Sequence, residues 1–239
     1  RLTLTIDGDV TRHAEVIACR VRRMFDLDVD LTRVHGTLGT DPYLGPLLSA
    51  SPGIRVPGAW SEFELLVRTI VGQQVTVKAA TTIMARIGSR FGKPLVTACG
   101  PTFLFPSPRT IADGDMQAIG MPGQRVLALK TVSRAIADKS IPFPDCDGTT
   151  ADVKQALLAL PGIGRWTVEY FALRALRDPD AWPETDLVLR RTIEQLASSA
   201  NSRHQSRTER WKPYRAYAAM HIWNDASAKQ RTEKCGTEK

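Results

Sequence analysis

A mainly α protein is what this sequence predicts, on three observations. From about Ala59 onward nearly every apolar segment recurs at helical spacing. Clusters of Gly, Pro, Asn and Ser separate those segments, and the one clear period-two run is short and stands at the start of the chain. In that run Leu2, Leu4 and Ile6 alternate with Thr3, Thr5 and Asp7 and end at the turn dipeptide Asp7-Gly8, which is a strand pattern. A single strand is not a sheet, so its partners are expected upstream of Arg1. The next segment predicts a helix, with Asp9 as its cap and Ala14, Ile17, Val21 and Met24 on one face. Residues 1–35 are therefore expected to be the remnant of a truncated mixed α/β N-terminal domain, and 36–239 a two-lobed helical region.

Within that region, helices are expected over 60–71, 75–88, 109–119, 123–138, 152–160, 165–177, 186–198 and 213–224. The Pro-rich stretch Phe91 to Pro108 and the polar stretch Ser198 to Thr208 are expected as loops. Residues 225–239 read as a frayed polar tail, and no repeat at a fixed period is visible.

Composition bounds the function. With 43% hydrophobic and 24% charged residues in 239, disorder of the whole chain is excluded. No apolar run approaches the roughly 18 residues that span a bilayer, and the first residues lack the apolar stretch of a signal peptide. The expected partner is thus no membrane, and the expected location is the cytoplasm, on the nucleoid if the source is bacterial. A formal charge of +7 makes a polyanion the first partner to consider. Cys19, Cys99, Cys146 and Cys235 form no C-x-x-C pair, which speaks against zinc, iron-sulfur clusters and a disulfide framework. The chain opens on Arg1 rather than Met, as a fragment of something longer would.

One motif carries chemistry. A short helix from Asp152, read as its cap, runs to Leu160; Leu160-Pro161-Gly162-Ile163-Gly164 follows; a second helix starts at Arg165. This is a helix-hairpin-helix, spanning 152–177. Its two glycines permit a tight turn and leave no Cβ between backbone and ligand, Ile163 anchors the turn, and amides at a helix N-terminus suit a phosphate. An ordinary αα-corner is the alternative for the G-x-G alone. Beyond one helix and the return loop Asp178 to Thr185 stands Asp186, at the start of Asp186-Leu187-Val188-Leu189-Arg190-Arg191, where the positive end of a helix dipole suits a carboxylate. A plain helix cap is its alternative role.

Leu160 to Thr167 and Thr185 to Arg190 resemble the helix-hairpin-helix superfamily of DNA glycosylases, and within it the bacterial 3-methyladenine DNA glycosylase II group. Phe25-Asp26-Leu27, Pro57-Gly58, Val71-Gly72-Gln73-Gln74-Val75, Gly120-Met121-Pro122, Arg210-Trp211-Lys212-Pro213-Tyr214-Arg215 and His221-Ile222-Trp223 extend the resemblance over nearly the whole chain. It implies helical domains that flank a cleft, behind a mixed α/β N-terminal domain. It implies Asp186 as the catalytic carboxylate, and Trp166, Tyr170, Leu187 and Trp223 as the pocket for an extruded base. Leu187 stands where relatives often have Tyr. The resemblance also assigns DNA contacts to Gly162, Ile163, Gly164, Arg165, Gln73 and Gln74, with Gln74 where a relative inserts a Leu wedge. The carbonyls of Leu158, Leu160 and Ile163 are implied as ligands of a monovalent cation, Na+ or K+, and no organic cofactor is expected.

A carboxylate near the sugar suits this chemistry, since breaking an N-glycosidic bond develops positive charge on the deoxyribose. Related glycosylase-lyases carry Lys where this chain has Trp166, so no Schiff-base lyase step is expected. The expected enzyme is a monofunctional, monomeric glycosylase acting on alkylated purines in double-stranded DNA, 3-methyladenine and 7-methylguanine above all. An aromatic box suits a cationic base. An upstream fusion to an Ada-type protein is a further expectation from the resemblance. The alternatives are a glycosylase for neutral deaminated or oxidised bases and a non-catalytic module that binds damaged DNA.

Overall fold

The computed structural model describes residues 2–6, 8, 12–97, 99–143, 149–200 and 204–236. It divides into two compact units, one of Arg1–Trp60 with Leu173–Lys239 and one of Ser61–Ala172. Among the described residues no helix is long and apolar enough to cross a membrane.

In the first unit α1 (Ala14–Met24), α2 (Leu31–Leu38) and α3 (Leu44–Ala50) precede the excursion into the second unit, and α10 (Leu187–Ala200), α11 (His204–Glu209) and α12 (Arg215–Gly236) follow it. Helix α12 packs on α3 and α10. It can approach them closely because Ala216, Ala218 and Ala219 are all fully buried on it, beside Ile222. Val34, Leu38, Leu44, Leu48, Leu173 and Leu189 complete this core. Asp41 crosses it: its carboxylate accepts from Arg207 (2.9 Å) and from the Trp211 indole (3.0 Å). Burial opposes the charge, yet Arg207, Trp211 and the Tyr43 and Leu44 amides together hold the Asp41 carboxyl below its ordinary value. Nearby, Asp26 is buried and accepts from the Tyr217 hydroxyl at 2.7 Å and the Val56 amide at 3.3 Å.

His221 is 2% exposed on α12, and burial, with His35 as neighbour, lowers its pKa to about 4. The unfolded chain takes up this proton near 6.5, the folded chain only near 4, so stability falls as pH drops through that interval. The expected loss is at most about 3 kcal/mol. A His221→Asn variant should lack this part of the slope in urea unfolding followed against pH. An unchanged slope would assign it to other groups.

The second unit holds α4 (Glu62–Val71), α5 (Val77–Phe91), the antiparallel hairpin β1 (Lys93–Thr97) and β2 (Gly100–Leu104), α6 (Pro108–Asp113), α7 (Gly123–Ala137), α8 (Thr150–Leu158) and α9 (Arg165–Phe171). Helix α4 is central, packing on α5, α7 and α9 through Leu66, Val67, Ile70 and Val71, all buried. Side-chain oxygens of Ser61, Thr76 and Ser107 cap α4, α5 and α6.

Several expectations need correction. Residues 2–6 form no strand: the one sheet among the described residues is the hairpin β1–β2, and a strand needs a neighbour for its amides and carbonyls. The proposed cap Asp9 lies outside the described residues. Phe91 to Pro108 contains that hairpin rather than a loop, and Ser198 to Thr208 contains part of α11. Helix α12 continues through the expected tail to Gly236, helped at its start by the Lys229–Asp225 pair at i,i+4 (2.7 Å). Helix α8 starts at Thr150, capped by Thr149. Asp152 is its third residue and its carboxylate accepts from the Thr149 amide, a capping box rather than a cap. The helix expected over 165–177 is α-helical only to Phe171 and widens to a π-helical turn over Ala172–Leu176.

Candidate functional site

The second unit presents the hairpin. Helix α8 ends at Leu158, the Ile163 amide closes the turn on the Leu160 carbonyl (3.2 Å), and the Val168 amide bonds the Gly164 carbonyl (3.2 Å) as α9 begins. Ile163 is 6% exposed and anchors the turn, as its residue type leads one to expect. The two glycines differ. Gly162 has φ +80°, and a Cβ there would lie 2.6 Å from the Ala128 Cβ on α7, so both conformation and packing require glycine. Gly164 has φ −93°, which any residue adopts, and nothing lies within 4 Å of where its Cβ would be. Nothing in the folded chain itself demands a glycine at 164. A bare backbone facing open space at a helix N-terminus is the form a phosphate cradle takes.

Two aromatic side chains of α9 follow. Trp166 and Tyr170 stack with centroids 5.1 Å apart and planes 13° apart, and both are partly exposed. Gln73 donates from Nε2 to Thr167 Oγ1 at 2.8 Å, and Thr167 is buried. This bond ties the turn between α4 and α5 to the first turn of α9. Gln74 is exposed and held at φ +53°, a left-handed conformation that costs a non-glycine residue energy. The two glutamines thus have separate positions, one clasped inside the unit and one displayed. No sequence spacing pairs residue 73 with 167, and Thr167 escapes notice on sequence grounds because a Thr in a first helical turn is common.

In the first unit Asp186 starts α10. Its Oδ1 accepts from the amides of Val188 (3.0 Å) and Leu189 (3.2 Å), so it caps the helix, and from the Trp223 indole Nε1–H (3.0 Å). The cap and the proposed catalytic carboxylate are the same side chain. Leu187, beside it, is 48% exposed. Trp223 and Asp186 are both partly buried. Ala216 and Ala219, one to two turns earlier on α12, are fully buried. A cavity of about 500 Å³ is lined by Trp223 together with Met24, Phe25, Arg55 and Met220, among others.

Among the described residues no group of three His, Cys, Asp or Glu is placed to hold a metal. The carbonyls of Leu158, Leu160 and Ile163 are neutral oxygen donors, and such a set suits a hard cation rather than a transition metal.

Trp166 is the second residue of α9, at the position where the resemblance places the lysine of glycosylase-lyases. Borohydride is expected to trap no adduct between this chain and DNA that contains an abasic site. A covalent product on a denaturing gel would place a reactive lysine in the site.

Comparison with known proteins adds three findings. The HhH-GPD superfamily base excision DNA repair protein family matches residues 67–216, and the AlkA N-terminal domain family matches residues 1–61. The chain is 37% identical over 218 residues to the probable bifunctional transcriptional activator/DNA repair enzyme AlkA of Mycobacterium tuberculosis, covering 90% of this chain but 44% of that protein, less than half its length. It is 36% identical over 217 residues to DNA-3-methyladenine glycosylase 2 of Escherichia coli, covering 88% of this chain and 71% of that protein. Among solved structures, the 3-methyladenine DNA glycosylase of Schizosaccharomyces pombe in complex with abasic DNA superposes with a TM-score of 0.64 at 25% identity, over 82% of this chain and 97% of that one.

Proposed function

The chain belongs to the HhH-GPD superfamily of base excision DNA repair proteins, and on that premise we propose that it is a monofunctional DNA glycosylase that hydrolyses the bond between an alkylated purine and its deoxyribose. The observation that carries the reading is the fixed carboxylate of Asp186, held by two helix amides and an indole N–H. As the C1′–N bond lengthens, positive charge grows on the sugar, and a preorganised carboxylate stabilises it at no cost of reorientation. The base leaves with the bonding electrons, as a neutral molecule when the alkylated purine was cationic, and water adds its oxygen to C1′ and loses a proton. The names of the Escherichia coli and Schizosaccharomyces pombe relatives support 3-methyladenine as one substrate.

DNA is the partner of this reading. The hairpin amides at Gly162 and Gly164, with Arg165, take a backbone phosphate, a contact that fixes register and reads no sequence. The Leu158, Leu160 and Ile163 carbonyls would hold Na+ or K+, which would supply positive charge for binding a phosphate. The stacked faces of Trp166 and Tyr170 offer an extruded base a π surface, and a base carrying positive charge gains most from it. Gln74, displayed on its strained turn, enters the space the base vacates. No organic cofactor takes part. The enzyme acts as a monomer, fused upstream to an Ada-type protein; the name of the Mycobacterium tuberculosis relative, bifunctional transcriptional activator/DNA repair enzyme, supports a second, transcription-regulating part.

Incubation with dimethyl sulfate-treated duplex DNA, followed by chromatography of the released bases, tests the proposal. Free 3-methyladenine and 7-methylguanine are expected above the spontaneous background. Release of neither, with binding to the same DNA retained, would turn the reading to a non-catalytic module.

A further inference from the structure

The Asp186–Trp223 hydrogen bond assigns the indole a role other than pocket wall. We infer that Trp223 is a positioning residue, which sets the orientation of the Asp186 carboxylate through its N–H and so acts on the chemical step for every lesion, charged or neutral. This rests on Asp186 as the carboxylate that faces the sugar.

Three donors meet one carboxylate oxygen. The amides of Val188 and Leu189 meet Asp186 Oδ1 from within its own helix end, as they would for any capping Asp, and fix little beyond the reach of the side chain. The third donor comes from another helix. Trp223 Nε1–H meets the same Oδ1 at 3.0 Å from α12. With donors from two elements converging on Oδ1, rotation of the carboxylate about its own bond is resisted.

The support behind the indole is firm. His221 and Ile222 immediately precede Trp223 and are 2% and 1% exposed; Ala218 and Ala219, a turn earlier, are fully buried. A buried helix thus presents a ring whose N–H is engaged, and a charged acceptor makes that bond one of the stronger kind. A Trp serving only as an apolar or π wall would have no need to aim its N–H at a carboxylate. Misplacement of a catalytic group by an ångström costs about 100-fold in rate, which is the scale on which loss of this bond is read.

The test removes the N–H and keeps the ring. Trp223 is replaced by 3-benzothienylalanine, in which sulfur takes the place of the indole N–H, and in parallel by Trp223→Phe. Single-turnover release is then measured on duplexes with one 7-methylguanine or one hypoxanthine, a cationic and a neutral purine nucleotide. Both replacements are expected to lower the saturating rate by about 10- to 100-fold, equally for the two bases, with the half-saturating protein concentration unchanged. The isosteric analogue keeps the packing, so a poorly folded Trp223→Phe protein does not decide the outcome. Wild-type rates with benzothienylalanine, or a loss confined to 7-methylguanine or to half-saturation, would overturn the inference and return Trp223 to the role of base wall. If the unaltered protein releases neither base, the hydrolase reading falls and takes this inference with it; the two failures are thus told apart by the wild-type lane.

Discussion

Asp186→Asn is expected to reduce base release from methylated DNA by about 100- to 1000-fold, the scale seen when one preorganised charge-stabilising group is removed, while leaving fold and DNA affinity intact. The structure says why these two effects should separate. The Asp186 oxygen that caps α10 accepts from Val188 and Leu189, and an Asn carbonyl oxygen still accepts those amides and the Trp223 N–H. Asn is as good a helix cap as Asp, so melting temperature should hardly move. What disappears is the negative charge. Single-turnover kinetics beside a DNA titration and a melting curve give the answer. A variant with near-normal release would remove Asp186 from the mechanism, and one that melts early would show that the cap rather than the charge had been lost.

The second large effect is expected at the hairpin, and the two glycines should fail in different ways. Gly164→Leu places a side chain in open space at an ordinary φ, so the fold should be kept, with a loss of about 1 kcal/mol for the poorer cap of α9. Binding to any duplex, damaged or not, should weaken by about 10- to 100-fold, the value of charge-assisted hydrogen bonds to one phosphate. Gly162→Ala should act on stability instead. Its Cβ would overlap Ala128 at 2.6 Å, and its φ of +80° disfavours any side chain, so a loss of about 1 to 3 kcal/mol is expected. Fluorescence anisotropy with an unmodified duplex, paired with urea unfolding of both variants, distinguishes the two. Unaltered binding by Gly164→Leu would reduce the hairpin to an αα-corner.

Where a helical period met a side-chain cap or a proline at its start, the sequence was legible almost to the residue. Helix α4, capped by Ser61, is expected over 60–71 and runs Glu62–Val71; α7, which has no side-chain cap, is expected over 123–138 and runs Gly123–Ala137 because it starts directly after Pro122. Helices α2 and α3 were invisible because they are 8 and 7 residues long and earn their place by packing Val34, Leu38, Leu44 and Leu48 rather than by a sustained period. The β1–β2 hairpin hid behind Pro94 and Pro101. Each strand has one neighbour and its side chains are largely exposed, so prolines are tolerated there and no alternation of buried and exposed residues arises. At the site, the hairpin and Asp186 could be found as motifs. The bonds Trp223 to Asp186 and Gln73 to Thr167 could not, since they join residues far apart in sequence that only the packing of helices brings together.

Hydrolysis by Asp186 should break a base-sugar bond and leave the DNA backbone whole. The most direct test is intact-mass analysis of a synthetic duplex bearing one 7-methylguanine after incubation with the unaltered protein. The expected spectrum shows the lesion strand converted to its abasic form, with free 7-methylguanine in solution and no shorter fragments before alkali treatment. A lesion strand of unchanged mass, under conditions where the protein is bound to it, would contradict the account.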